Sequence, residues 1–247
     1  MISNISSSIK ERERTMRKLL RLFVAVTTVV FLSVISIQSS AQVALGIEAG
    51  YVNSGLIDKS HNPYISVSGI NNFLVGAKME ANLSKSIIFQ SGLDYIGKGG
   101  FRGTTEFALS GTTSTTKLNY LQIPLNLKYS FRTKNGIKPF LGAGFYLAAG
   151  FSGTEKGYYQ STSGSTTPID ERVVFTNNSS ATETTVKPID AGYNVFGGVA
   201  FKHWQLQATY SKGFSKVFTS GSTNMVHSVF GVTVAYMFSL KKSLKKK

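Results

Sequence analysis

Asn119–Phe131 reads NYLQIPLNLKYSF. From Leu121 it alternates: Leu121, Ile123, Leu125, Leu127 and Tyr129 fall on one face, Gln122, Pro124, Asn126 and Lys128 on the other. Successive side chains of a strand point to opposite sides, so the segment predicts a strand with one apolar and one polar face. A tilted strand of about 9–11 residues crosses a bilayer, and this one is long enough. Pro124 cannot donate a ladder hydrogen bond, which predicts a bulge or other irregularity within the strand.

The same pattern recurs along the chain. Strands are expected at Val43–Asn53, Asn72–Ala81, Ile87–Lys98, Ile137–Phe151, Pro188–Phe201, Trp204–Lys212 and Val226–Phe238, eight with the opening stretch. Leu74, Ile88 and Ile96 break the alternation. Short turns join some neighbours: Asn82–Ser86, Arg132–Gly136 with its Asn135-Gly136 hairpin signal, and Lys202-His203. The polar stretches 54–71, 99–116, 152–187 and 213–225 read as long loops. Within the third, Arg172–Thr176 and Thr182–Val186 are expected to extend as a hairpin above the sheet. Long and short connections therefore alternate around an even number of strands, as in an up-and-down outer-membrane barrel with brief periplasmic turns and longer external loops.

Alternation alone does not say which face is outside, because a secreted lipocalin-like barrel also has eight strands, apolar face inward. Three features favour a membrane. The apolar-face positions carry no charge. The opposite face is rich in glycine, including Gly46, Gly76, Gly92, Gly144 and Gly192, which suits a narrow interior where Glu48, Lys78, Glu80, Asp94, Lys128 and Asp190 must fit and pair. Finally, Tyr51, Tyr95, Tyr129, Trp204, Tyr210 and Tyr236 lie near strand ends, as interfacial aromatic girdles do. The fold expected is all-β, an eight-stranded antiparallel up-and-down transmembrane β-barrel over residues 42–240.

Ahead of the barrel, Lys10, Arg12, Arg14, Arg17, Lys18 and Arg21 precede an apolar run from Leu22 to Ile37, and Ser39-Ser40-Ala41 places small residues before Gln42. Residues 1–41 thus read as a signal peptide, with Met16 as a second candidate start, and an uncleaved anchor as the competing reading. The formal net charge is +15, of which residues 1–41 contribute +4 and leave +11. Lys241, Lys242, Lys245, Lys246 and Lys247 form a basic tail over 241–247. For a secreted chain, outer-membrane lipid or lipopolysaccharide is a better partner for such lysines than nucleic acid, which is not expected. There is no cysteine, hence no disulfide framework and no cysteine-type zinc site.

YLQIPLNLKY (Tyr120–Tyr129), KPFLGAGFYLAAG (Lys138–Gly150) and IDAGYNVFGGVAFKHWQLQATYSKGFSKV (Ile189–Val217) resemble the PorT-like outer-membrane β-barrel family of the Bacteroidetes. VTVAYMF (Val232–Phe238) looks like its closing strand ending in an aromatic, and here Ser239–Lys247 follows it. The resemblance spans about residues 42–240. It implies an outer-membrane location and, from one member's link to a secretion system, an envelope or secretion-system protein as partner.

The sequence assigns no catalytic, cofactor-binding or metal-ligating residue. Its histidines are His61, His203 and His227. His61 with Ser60 and Asp58 resembles a hydrolytic set in composition, but near neighbours in one loop rarely meet triad geometry. His203 sits in a tight turn, and His227 is expected near the external end of the last strand, satisfied by polar neighbours. Three scattered histidines do not make a metal site. The inward charges read as a structural network rather than an ion path. The function expected is therefore a non-enzymatic outer-membrane barrel of structural or binding type, whose external loops, Ser152–Lys187 above all, contact a ligand or envelope partner. The alternatives are a narrow channel or transport component and a secreted lipocalin-like binding barrel.

Overall fold

The computed structural model describes residues 43–58, 65–106, 110–133, 136–178, 184–219 and 224–239. The segments expected as a leader and as a basic tail lie outside them, as does His61. Its strands, in chain order, are β1 (Val43–Asp58), β2 (Ile65–Ser68), β3 (Ile70–Asn82), β4 (Ile87–Glu106), β5 (Ser110–Ser130), β6 (Ile137–Gln160), β7 (Thr166–Arg172), β8 (Val174–Phe175), β9 (Thr185–Val186), β10 (Ile189–Phe201), β11 (Trp204–Gly213) and β12 (Met225–Ser239). Eight of them close a ring of antiparallel neighbours, β1-β3-β4-β5-β6-β10-β11-β12, sealed where β12 returns to β1 and where β10 joins β6. The eight-stranded barrel expected from the sequence is the fold observed.

The apolar face is the outer one. Ile47 and Phe145 are 61% and 62% exposed, while Glu48, Lys78 and Asp94 on the opposite face are buried. A water-soluble barrel of lipocalin type would show the reverse, so the inside-out alternative is set aside. Two aromatic belts bound the apolar band. At the end carrying the short turns, Tyr129 packs edge-on against Phe131 at 4.9 Å, and Tyr236 meets both Trp204 and Phe238 at 4.9 and 5.0 Å. At the other end Tyr95 stacks on Phe73 at 5.4 Å and approaches Phe151, and Phe214 lies beside Phe145 and Tyr193. Amphipathic rings favour the two membrane–water interfaces, so the belts mark the span.

The turns follow the chemistry of their residues. Lys202-His203 is a two-residue hairpin loop between Phe201 and Trp204, with Lys202 at φ 53°, the left-handed value such loops require. Gly136, at φ 76°, closes the turn after Phe131. Pro124 makes a gap, not a bulge: the β4–β5 register is unchanged on either side, but Gly92 and Leu93 have no ladder partner opposite it. The bulge lies further up, where Asn119 faces Ser152 and Tyr120 faces Gly150, leaving Phe151 as an extra residue of β6. One inserted residue swaps the two faces of a strand. Below it Tyr146 and Ala148 point inward; above it Glu155 does.

The long loops need correction. Residues 99–116 are mostly strand: β4 runs to Glu106 and β5 starts at Ser110, paired throughout from Gly99–Lys117 to Glu106–Ser110. β1 likewise extends to Asp58 and β6 to Gln160, and β2 and β7 add to β4 and β6. A sheet of β2, β4, β5, β6 and β7 therefore projects beyond the barrel. Its composition reads as loop, yet its threonines are good strand residues once neighbouring backbones pair with them. The expected hairpin of 172–176 with 182–186 is instead a short parallel pairing, Val174–Phe175 with Thr185–Val186.

Leu125 lies on the outer face of β5 between the belts. Leu125→Arg is expected to cost about 2–4 kcal/mol of unfolding free energy in lipid, measured by urea titration, because a cation there faces hydrocarbon. Ser163→Arg, exposed in the turn between β6 and β7, serves as the contrast, since it does not meet lipid.

Candidate functional site

The inward period of each strand builds the lumen, and its contents change with height. Nearest the short turns, Lys128 of β5 pairs with Glu80 of β3, and Gln205 of β11 donates from Nε2 to both Glu80 oxygens at 3.2 Å. The Lys128 ammonium also sits 4.5 Å from the centre of the Phe140 ring. In the middle, Lys78 Nζ is 2.9 Å from Glu48 Oε2 and donates to Gln207 Oε1 at 3.4 Å. Gln90 donates to the same Gln207 oxygen at 3.2 Å, and Asn194 bridges Asn126 and Ser211. Rings fit where glycine leaves room: Phe196 over Gly142, Tyr146 over Gly192 and Phe140 over Gly198.

Toward the external end the third pair is Lys98 Nζ with Asp190 Oδ2 at 2.9 Å, and Tyr146 donates its hydroxyl to the same oxygen at 3.0 Å. The Lys98 ammonium lies 4.0 Å from the Tyr146 ring centre and 5.2 Å from that of Tyr120. His227 is buried beside them, its Nε2 3.3 Å from the Tyr120 hydroxyl, while its Nδ1 has no partner among the described residues. The backbone of Gly99 holds this level: it takes φ 137°, its N–H donates to Ser54 Oγ at 2.8 Å, and the Ser54 hydroxyl donates to its carbonyl at 3.0 Å.

Around and above this level the interior becomes apolar. Val52, Leu56, Leu74, Ile96 and Leu118 from the barrel meet Val173, Phe175, Val186, Val217 and Phe218 from the connections after β6 and β11. Phe175 stands edge-on to Tyr120 at 5.9 Å and lies over Gly150, where an added Cβ would come within 2.1 Å of the ring. The carbonyl of Val217 receives the Lys187 N–H at 2.9 Å, its own N–H donates to the Met225 carbonyl, and Val186 bridges to Phe218. Arg102 of β4 reaches Glu155 at 3.5 Å and stacks over Phe218 at 5.2 Å. These contacts form a plug at the external mouth.

Of the inward charges read from the sequence, Glu48, Lys78, Glu80, Lys128 and Asp190 are brought into pairs, whereas Asp94 is in none of them. Lys98 escaped the sequence reading because it lies at the end of its expected strand, above the blurred alternation at Ile96. His203 sits in its turn, with Nδ1 3.1 Å from the Met237 carbonyl oxygen. His227 lies near the external end of β12 and faces the lumen, but of its two ring nitrogens only Nε2 has a polar neighbour among the described residues, so it is satisfied only in part. Among the described residues no group of three His, Asp or Glu side chains is placed to hold a metal. Lys98→Met strands the Asp190 carboxylate in the interior. It is expected to cost about 3–5 kcal/mol by denaturant titration, with most of the loss recovered in Lys98→Met/Asp190→Asn.

No curated protein matches the chain in sequence. Among solved structures it is similar to Neisserial surface protein A, at 15% identity over 79% of this chain and 99% of that one, with a TM-score of 0.41. It is also similar to OprG from Pseudomonas aeruginosa, at 10% identity over 82% and 99%, with a TM-score of 0.45. The outer membrane protease OmpT from Escherichia coli matches at 10% identity over 80% and 97%, with a TM-score of 0.45. The family model described as outer membrane protein beta-barrel domain matches residues 37–219, so the chain belongs to that family and is a protein of the outer membrane.

Proposed function

We propose that this barrel is a non-enzymatic binding protein of the cell surface, with the projecting sheet as its contact surface. One observation carries the reading: β4, β5 and β6 continue past the upper aromatic belt and recruit β2 and β7, while the lumen beneath is closed by paired charges and an apolar plug. The sheet exposes Tyr158 and Tyr159 together with the charged edge of β7. Such a surface suits a ligand, lipopolysaccharide or an envelope protein. A secretion-system component is the partner that the resemblance to PorT-like barrels of the Bacteroidetes adds. In this reading residues 1–41 are removed as a signal peptide and 241–247 remain as a basic tail.

Lipid contact has its own support. Phe214 is exposed in the upper belt, and Lys212 and Lys216 flank it in sequence. An aromatic between two cations suits the boundary between acyl chains and anionic headgroups.

A narrow channel is the second reading, and the lumenal cavity between Glu48 and Gln207 is the observation in its favour. Eight strands leave an interior that side chains fill. Purified protein in planar bilayers is therefore expected to give no single-channel conductance, and a conductance altered by Lys78→Met would favour the channel.

Gly157 and Ile169 face each other across β6 and β7, so excising Tyr158–Pro168 shortens that hairpin without touching the plug. The shortened chain is expected to keep heat-modifiable folding. A photo-reactive residue at Tyr159 in whole cells is expected to trap a discrete envelope component that the same residue at Phe131, in the opposite belt, does not. No adduct at Tyr159, or the same adduct at both positions, counts against the projecting sheet as the contact surface.

A further inference from the structure

The described lumen holds more carboxylates than lysines. Lys78, Lys98 and Lys128 neutralise Glu48, Asp190 and Glu80 in turn, and Asp94 is left over. Asp94 is 3% exposed, and its Oδ1 has no hydrogen-bond partner among the described residues. Its charged neighbours are Glu48 and Lys78, which pair with each other, and at Asp94 the Glu48 charge outweighs that of Lys78. An isolated carboxylate at this depth is costly unless a positive charge accompanies it.

Beside Asp94 is a cavity of about 50 Å³, which by volume has room for a few water-sized particles. Four of its lining side chains present buried polar atoms without partners: Gln90 Oε1, Asp94 Oδ1, Gln122 Oε1 and Thr233 Oγ1. All four are oxygens. Gln122 is the direct cross-strand neighbour of Asp94, so two of them belong to one rung of the β4–β5 ladder.

We propose that this cavity binds one small monovalent cation, of the sodium or potassium class, with Asp94 as its charged ligand, its rung partner Gln122 as a neutral one, and Gln90 and Thr233 reached through water in the same cavity. Hard cations take oxygen ligands. Glu48 also lines the cavity but is paired with Lys78, so one net negative charge remains there and calls for a single positive one. A proton on Asp94 would also cancel the charge, but its hydroxyl could satisfy only one of the orphaned acceptors, whereas a cation draws on several at once. The bound ion would hold β4 and β5 directly, and β12 through water, around the centre of the lumen. The site is independent of the projecting sheet, and its failure would leave the proposed surface binding untouched.

The test is refolding of the full-length protein from urea into detergent, in sodium, potassium or choline chloride at equal ionic strength. Choline carries its charge behind methyl groups, so oxygen ligands cannot coordinate it as they do a bare ion. The thermal midpoint, read from heat-modifiable gel mobility, is expected to rise in sodium or potassium relative to choline and to saturate with concentration. Asp94→Asn is expected to abolish that difference. Equal midpoints of the unmodified protein in choline and in both small cations overturn the proposal, and this arm needs no variant to fold. An undiminished cation effect in Asp94→Asn overturns it too. So does a protonated-carboxyl band in the infrared spectrum at neutral pH that Asp94→Asn removes.

Discussion

A peptide group left unpaired in hydrocarbon costs several kcal/mol, and the rest of this structure depends on avoiding that. The ladder of β1 with β12 runs from Ala44–Ser239 to Asp58–Met225 without a break, and β10 closes on β6 over the length of the membrane band. Closure at eight strands fixes the interior at about the width of the side chains that fill it. The outer face must then be apolar, and whatever is polar must go inside and find a partner there. The three lysine–carboxylate pairs and the amide network between them follow from that geometry, as do the rings of Phe140, Tyr146 and Phe196 seated over glycines.

Beyond the upper aromatic belt the constraint lapses. Water satisfies exposed peptide groups, so the sheet no longer has to close, and β2 and β7 end it with unequal strands. The edge strand β7 carries Pro168, Asp170, Glu171 and Arg172, residues that discourage another chain from adding to it. The change of regime is marked by the bulge at Phe151. It keeps an aromatic at the lipid boundary against Tyr95, and it turns Glu155 inward to meet Arg102.

Much of this was legible in the sequence, because a bilayer imposes a two-residue period, a length and an aromatic limit on every strand. The alternation in Asn119–Phe131, the short turn at Lys202-His203 and the tyrosines near strand ends each report one of those demands directly. The breaks at Leu74 and Ile96 were visible too, but their meaning was not. Both residues point inward into the apolar cluster under the plug, level with Phe73 and Tyr95 of the upper belt, where the interior turns apolar. The strand extensions were hidden because Gly, Ser and Thr in 99–116 carry no period, and only the neighbouring backbone makes them strand. Lys98 and Asp190 are 92 residues apart, and nothing local in either segment names the other.

The division of the interior into charged pairs below and an apolar plug above bears on what the barrel can do. Movement of a solute through the lumen would require separating buried pairs, each break costing several kcal/mol. It would also require withdrawing Phe175 and Phe218 from their contacts with Tyr120 and Arg102. The two kinds of barrier respond to different disturbances, since hydration loosens charge pairs but strengthens apolar association. A single local change thus does not open both. The projecting sheet faces no such obstacle: its edges and outer side chains already meet water, and contacts there leave the barrel undisturbed.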